Sequence, residues 1–497
     1  MKPMRLSSLL LAAILAISAA AASSCGSSGA DTPASATDAP QAGENTPDET
    51  EEETTSLYSL DTIAVKDYGG RTFRVITSDN APVEMPEQTG DIVDDAQYKR
   101  NLIIEEKYNI KISDSYIPMA SYSELTSTFK KSVMASSDDF DVCRLIMRDA
   151  FSLALSGYVL PVSSLPYADL DSPWYVRFVN DALRIDNNYY IFYTDECMGT
   201  FTGACAVFFN KHIAETLGLS SPYDDVRGGK WTLDRYYENG MAAISDVNGD
   251  GVFTPDGGDV FADVGEYDGY IPPLWIGADM MIIKKDENDI PYFAALGDEK
   301  FASLIEKMYT YFDTDGFYWD SFLKGKFDEN ERAVGRQYYI NGQALYYMGG
   351  FGTASAFRAM EDDFGIVPLP KYDESQKDYY SRIADGWLLN VPTHCADTEF
   401  VSAILEELAI GTKNYIIPAY YEDALKNKFI RDDDTLEMLD IVQTNKMIDL
   451  ADTVWFNEIR GPFTNDVFVQ GKPVASYLEK MEKKVNKAIE KALNAGE

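Results

Sequence analysis

Arg71-Thr-Phe-Arg-Val-Ile-Thr77, the stretch from Asp94 to Lys107, and Tyr108-Asn-Ile-Lys-Ile112 together decide the fold. The first segment alternates apolar and polar residues as a strand does. The second spaces Tyr98, Leu102 and Ile103 as one helix face, and the third returns to strand alternation. A helix between two strands is a crossover rather than a hairpin, so the strands pair in parallel and the unit belongs to an α/β fold.

The same grammar recurs downstream. Phe140-Asp-Val-Cys143, Tyr189 to Tyr193, and Ala206-Val-Phe-Phe209 read as strands, the last running into a helix at Lys211. Ala344-Leu-Tyr-Tyr-Met348 ends in Gly349-Gly350, and Gly365-Ile-Val-Pro-Leu369 and Trp387-Leu-Leu-Asn-Val391 are further strands. Phe301, Leu304, Ile305, Met308 and Phe312 mark a helix face, and Glu399 to Ile410 reads as a core-facing helix. Val474, Leu478, Met481, Val485, Ile489 and Ala492 line a C-terminal amphipathic helix. No repeat of solenoid length is present.

Upstream of the globule the chain changes character. Lys2 and Arg5 precede an apolar run from Leu9 to Ala22, of signal-peptide length and too short for a comfortable membrane span. Ala22-Ser23-Ser24 then leads to Cys25. This resembles a bacterial lipoprotein signal, with residues 1–24 removed and Cys25 lipidated, although Ala22 stands where such signals favour Leu. The plainer alternative is ordinary secretion with an incidental cysteine. Residues 26–56 are Ser, Thr, Ala, Pro, Gly and acid, without Lys or Arg, and are expected to be a disordered, extended spacer. The fold is expected to begin near Leu57, leaving about 440 residues, too many for one small core, so two lobes are expected.

A net charge of −38 disfavours nucleic acid and anionic lipid head groups as partners. Cys143, Cys197, Cys205 and Cys395 follow Cys25, and export permits disulfides without dictating a pairing. With only His212 and His394 and no HExxH or G-x-S-x-G pattern, zinc and serine hydrolase chemistry are disfavoured. Asp246-Val-Asn-Gly-Asp-Gly251 has the opening spacing of a calcium loop: Asp246, Asn248 and Asp250 as oxygen ligands, then the carbonyl of Val252. Position twelve is Gly257, so Asp259 is the candidate closing ligand of one structural calcium ion. The alternative is a plain acidic turn.

Several segments, in order, carry a wider likeness: Leu165-Pro-Tyr-Ala-Asp-Leu-Asp-Ser-Pro-Trp-Tyr175, Val207-Phe-Phe-Asn-Lys211, Lys230-Trp-Thr-Leu-Asp234, Ile340-Asn-Gly-Gln-Ala344 and Phe364-Gly-Ile-Val-Pro-Leu-Pro-Lys371, running on to Tyr380. On these the chain resembles the extracellular solute-binding proteins of family 1, the maltose-binding-like receptors of ABC sugar importers. The resemblance implies a two-lobed, type II periplasmic-binding-protein fold with hinge crossovers and a central ligand cleft. Lobe one would comprise residues 57–195 and 384–425, and lobe two residues 196–383 and 426–497. It further implies a monomer outside the cytoplasm, no enzymatic activity, a sugar as small-molecule partner, an ABC permease, and a membrane reached through Cys25. Gly386 and the segment Thr200 to Gly203 are the expected hinge backbone.

Sugars offer C–H faces to aromatic rings and hydroxyl edges to charged groups. The expected aromatic contacts are Trp387 at a crossover, Phe351 after Gly349-Gly350, Trp455 near the end and, more weakly, Trp275; Trp174 suits core or rim. The expected polar contacts are Arg148 and Asp149 after a strand, and Asp195 and Glu196 at the first crossover. Core packing is the alternative for each aromatic, and ion pairing for each charge. Two other classes compete with the receptor: a surface glycan-binding lipoprotein without a transporter, and a secreted glycoside hydrolase with two cleft carboxylates.

Overall fold

A computed structural model describes residues 58–59, 63–78, 82–118, 122–265, 267–319, 332–426 and 432–495. Cys25 and the acidic spacer lie outside them. The chain divides into Met1–Ser59 and Leu60–Glu497, and the second unit is the one described below.

Its strands form two larger sheets. In chain order they are β1 (Arg71–Ser78), β2 (Ile110–Ile117), β3 (Val142–Ile146), β4 (Cys205–Asn210), β5 (Phe261–Val264), β6 (Tyr318–Trp319), β7 (Ala344–Gly350), β8 (Phe364–Val367) and β9 (Trp387–Asn390). The decisive β-α-β unit is present: β1 and β2 pair in parallel from Arg71↔Ile110 to Ser78↔Ile117, around a helix at Ile92–Tyr108. That helix starts where the Asp91 carboxylate accepts the amides of Val93 and Asp94, and stops where Asn109 turns left-handed at φ 47°. Tyr108, expected to open the strand, instead closes the helix and is fully buried.

The first sheet has the order β9-β3-β1-β2. β3 is parallel to β1, and β9 returns from more than two hundred residues downstream to pair antiparallel with β3, Trp387 opposite Ile146. β2 is the edge. Its Ile112 amide donates to Glu105 and its Asp114 amide to Glu84, each at 2.8 Å, so carboxylates occupy hydrogen-bonding groups that an unprotected edge would offer another chain. Phe73, Val75, Ile104, Ile110, Val142, Leu389, Phe400 and Ile404 fill the core beneath. Phe400 begins a run of buried positions through Gly411, so the helix Thr398–Gly411 is enclosed all round rather than amphipathic.

The second sheet has the order β8-β4-β7-β5-β6. β4 runs antiparallel to both β7 and β8, whereas β5 is parallel to β6 and β7. All six residues of β4 are buried, which explains its continuous apolar reading. Much of the chain's aromatic content lies here, as in the edge-on pairs Phe208–Phe357 and Tyr236–Phe317. The helix Glu299–Phe312 and the C-terminal helix Val474–Asn494 bury the expected faces, except that Phe312 keeps some exposure.

One expected strand is not a strand. Residues 189–193 are irregular: the Asn180 side chain accepts the Tyr193 N–H at 2.6 Å and donates to its carbonyl at 3.0 Å, and that carbonyl also accepts the Val176 N–H at 3.0 Å beside a single bridge of Tyr175 to Thr194.

The sheets are joined by crossovers that pack against one another. The first, after Thr194, holds the turn Asp195–Cys197, Met198 at φ 55° and the short helix Gly199–Thr202. The second runs through Asp385 and Gly386 into β9. A Cβ at Gly386 would lie 2.6 Å from a Tyr193 ring carbon and 2.7 Å from the Cys197 sulfur; one at Gly199 would lie 2.5 Å from the Tyr193 hydroxyl and 3.1 Å from the Asp385 carbonyl. Glycine is required here by contact. Forcing a methyl group into a packed site costs about 1–3 kcal/mol. Gly386→Ala should therefore lower unfolding free energy by about that amount in a denaturant titration, and an unchanged midpoint would contradict the packing described.

Burial also shapes the response to pH. It raises the carboxyls of Asp263 to about 8, Asp449 to about 7 and Glu406 to about 7. In each the folded state keeps a proton that the unfolded chain releases near pH 4, so this contribution is full in acid and lost as pH rises through about 7–8. Lys446, pushed down to about 8 by burial, acts in the opposite sense, and carboxyls held low by partners, such as Asp138 and Asp373, titrate below this window. The melting temperature should fall between pH 5.5 and pH 8.5, less so in Asp263→Asn. A melting temperature that rises over that range would contradict this balance.

Candidate functional site

Where β3 ends, Met147-Arg148-Asp149 starts the helix Met147–Ala154, beside the crossover at Asp385 and Gly386. The Asp385 carboxylate accepts the Met147 amide at 3.0 Å and the Gly386 amide at 2.8 Å through one oxygen, and meets Arg148 at 3.3 Å through the other. Burial raises this carboxyl to about 6 against the pull of Arg148. The Arg148 guanidinium lies 4.8 Å from the ring centre of Phe456, and Arg460 lies 4.1 Å from the same ring. Arg460 also reaches Asp452 at 3.0 Å, and Arg382, just before the second crossover, holds Asp452 at 2.5 and 2.9 Å.

These residues form one seam of alternating charge around a half-buried ring. They come from the end of β3, the second crossover and the C-terminal segment, so a relative movement of the sheets would have to rearrange them. Asp452 is enclosed and held by two guanidinium groups, which fixes one end. Arg148, Asp385 and Phe456 keep some exposure and form the accessible end. The seam brings a cation, a carboxylate and an aromatic ring together within one small area.

The expected contacts divide. Arg148 is in the seam, and Asp149 beside it accepts the Thr126 hydroxyl at 2.8 Å. Trp387 is half-buried at the start of β9, next to Gly386. Phe351, Trp455 and Trp275 are buried in this conformation: Phe351 packs on Phe201, Trp455 on Phe151, and Trp275 between Phe301 and Phe463. Trp174 is likewise buried and donates its indole N–H to Glu406 at 2.5 Å. Asp195 pairs with Lys413 at 2.8 Å, and Glu196 is enclosed between Arg144 and Arg100. Those pairs pin the first crossover to β3, to the helix Ile92–Tyr108 and to the helical turn Thr412–Ile416. Glu196, with Tyr175, Thr194, Cys197, Leu389 and Glu406, also lines a cavity of about 20 Å³, room for one water.

Asp385, Phe456, Arg460 and Asp452 were not among the residues expected to bind. Only Asp385-Gly386-Trp387 carried a signal, as the point where the chain returns. The other three come together only through folding.

The acidic turn is a closed excursion, with Ser245 and Val260 bridged at its neck. Asp246 accepts the amides of Gly249 and Gly251, Asn248 that of Asp250, and Asp250 that of Val252. Asp259, fully buried, accepts those of Val247 and Thr254. A Cβ at Gly257 would meet both the Asn248 amide at 2.8 Å and the Asp259 carboxylate at 3.2 Å, so the two ends of the turn stand beside one another. Among the described residues no group of three or more His, Cys, Asp or Glu side chains converges as a metal site. Cys143, Cys197, Cys205 and Cys395 are free thiols.

No protein-family profile and no characterised sequence relative matches the chain. Its structure is similar to solved structures of sugar receptors. The GacH receptor of Streptomyces glaucescens, studied unliganded and with acarbose, aligns with a TM-score of 0.55 and 12% identity, over 85% of this chain and 99% of that one. The sugar-binding protein MalE of Xanthomonas citri aligns at 0.56 and 15%, over 84% and 98%. MalE of Bdellovibrio bacteriovorus, bound to maltotriose, aligns at 0.52 and 15%, over 84% and 100%. At such identities the likeness shows the fold: an α/β, two-lobed architecture of the MalE type.

Proposed function

We propose that this chain is the substrate-binding lipoprotein of an ABC importer, held outside the cytoplasm through Cys25, and that it captures a carbohydrate between its lobes. The observation that carries the reading is the seam at Arg148, Asp385 and Phe456. It places a cation, a carboxylate and a ring where the two sheets are joined, within a fold shared with receptors solved with acarbose and maltotriose. A sugar needs those groups: planar charge for its hydroxyls and a ring for its C–H face. A ligand that touches both lobes only when they are closed shifts the population toward closure by its differential affinity. Trp387 supplies a second ring beside the seam. The chemistry is recognition, with no bond made or broken.

A thermal-shift screen over mono- and oligosaccharides tests this. A ligand at a hundred times its Kd stabilises by about 2.7 kcal/mol, which for a globule of this size raises Tm by about 3 °C. Arg148→Ala and Trp387→Ala should each weaken the responding sugar at least about tenfold by calorimetry, since each removes a buried contact worth about 1.4 kcal/mol or more. If no sugar moves Tm, the carbohydrate reading fails.

The same reading gives the turn from Asp246 to Asp259 one structural calcium ion, supported by the Asp-x-Asn-x-Asp-Gly spacing and by the approach of Asn248 to Asp259. Terbium should show sensitised luminescence that calcium displaces and Asp246→Ala removes. Neither luminescence nor a calcium-dependent rise in Tm would leave a plain acidic turn.

A further inference from the structure

The C-terminal helix Val474–Asn494 has a second face. Its buried side is Val474, Leu478, Met481, Val485, Ile489 and Ala492. Along one flank of its exposed side stand Lys480, Lys484, Lys487 and Lys491, all exposed, at spacings of four, three and four residues. On a helix of 3.6 residues per turn these fall within a sector of roughly 60° and run for about 16 Å. Lys483 lies on the outer margin of the stripe, and Glu490, Glu479 and Glu482 lie beyond it on the same side. Among the described residues Lys472 pairs with Asp466, while none of the four stripe lysines is in an ion pair. In a chain of net charge −38 this helix carries five lysines against three glutamates.

We infer that this stripe is a docking face for anionic phospholipid head groups, and that it orients the globule on the membrane to which Cys25 tethers it. The inference rests on the anchor in the proposed function. Charge complementarity is the first support: the rest of the globule is acidic and is repelled by an anionic surface, so the lysine face is the side such a surface attracts. The composition of the face is the second. It displays lysine without arginine, and its aromatic Tyr477 is turned inward. Protein interfaces enrich arginine and aromatic residues and deplete lysine, whereas a diffuse field of mobile ammonium groups suits head groups that have no fixed shape. Without exposed large apolar side chains the helix would rest on the head groups and not insert. A tether keeps its local concentration high enough for a few charges to act.

The test uses the full-length lipidated chain on vesicles of phosphatidylcholine alone and of phosphatidylcholine mixed with phosphatidylglycerol. Flotation with the neutral vesicles reports the anchor by itself. Acetylation of individual lysines, followed by mass spectrometry with exposed Lys230 as internal reference, reports the stripe. The four lysines should react at least about fivefold more slowly on anionic than on neutral vesicles, the protection vanishing in high salt. Lys483 should lose its protection when the four are replaced by glutamine. Equal rates on the two vesicles, or protection that salt does not release, would overturn the docking face. If the chain does not float with neutral vesicles, the anchor reading fails instead. The stripe is then read from the free chain on anionic vesicles at low salt: flotation abolished by the four glutamines supports it, and no flotation overturns it. Heparin capture without lysine protection on vesicles would likewise overturn it.

Discussion

Two sheets of different topology must be joined through a few residues of backbone, and everything else about this molecule follows from how tightly those residues pack. At Gly386 and Gly199 the two crossovers approach so closely that a methyl group on either would overlap Tyr193 or Cys197. A junction of this kind leaves little freedom for local unravelling, but the few residues at it can absorb a rotation of the lobes. Around it are the groups that such a rotation would move: Arg148 on the first-sheet side, Asp385 within the crossover, and Phe456 and Arg460 from the C-terminal segment. The ion pairs of Asp195 and Glu196 anchor the first crossover at its base, away from the accessible end of the seam.

Buried charge gives this arrangement direction. Asp452 between Arg382 and Arg460, and Glu196 between Arg144 and Arg100, are enclosed networks whose desolvation is offset only when every member is in place. They are poor sources of net stability and good sources of geometric definition. The pair of Arg148 and Asp385 is different: it is partly buried but keeps some exposure, so a polar solute can compete for its hydrogen bonds.

The fold was largely legible in the sequence because its signals are local. The alternation of Arg71–Thr77 and the period of the following helix are set by which side chains each element must bury, and they appear in the structure as the parallel pair of β1 and β2. At Tyr189–Tyr193 the expected ladder is reduced to a single bridge of Tyr175 to Thr194, with the Asn180 side chain on both backbone groups of Tyr193, an arrangement that periodicity does not encode. The site was much less legible. Phe351, Trp455 and Trp275 have the composition of a stacking platform and the environment of a core, and composition cannot separate the two. Arg148 was found because it follows a strand end. Asp452, Phe456 and Arg460 were not, because Phe456 meets Arg148 across about 300 residues of chain and Asp452 meets Arg382 across 70. The lysines of the last helix show the same limit from the other side: a net charge describes the whole chain, and partners meet only one face of it.

The central claim is that a carbohydrate holds the two lobes closed about the crossovers. Small-angle X-ray scattering of the protein with and without a saturating sugar tests it most directly. The account predicts a smaller radius of gyration with sugar, and in Arg148→Ala the same decrease only at a sugar concentration raised by the factor by which its affinity falls. A sugar that binds tightly and leaves the radius unchanged would contradict it.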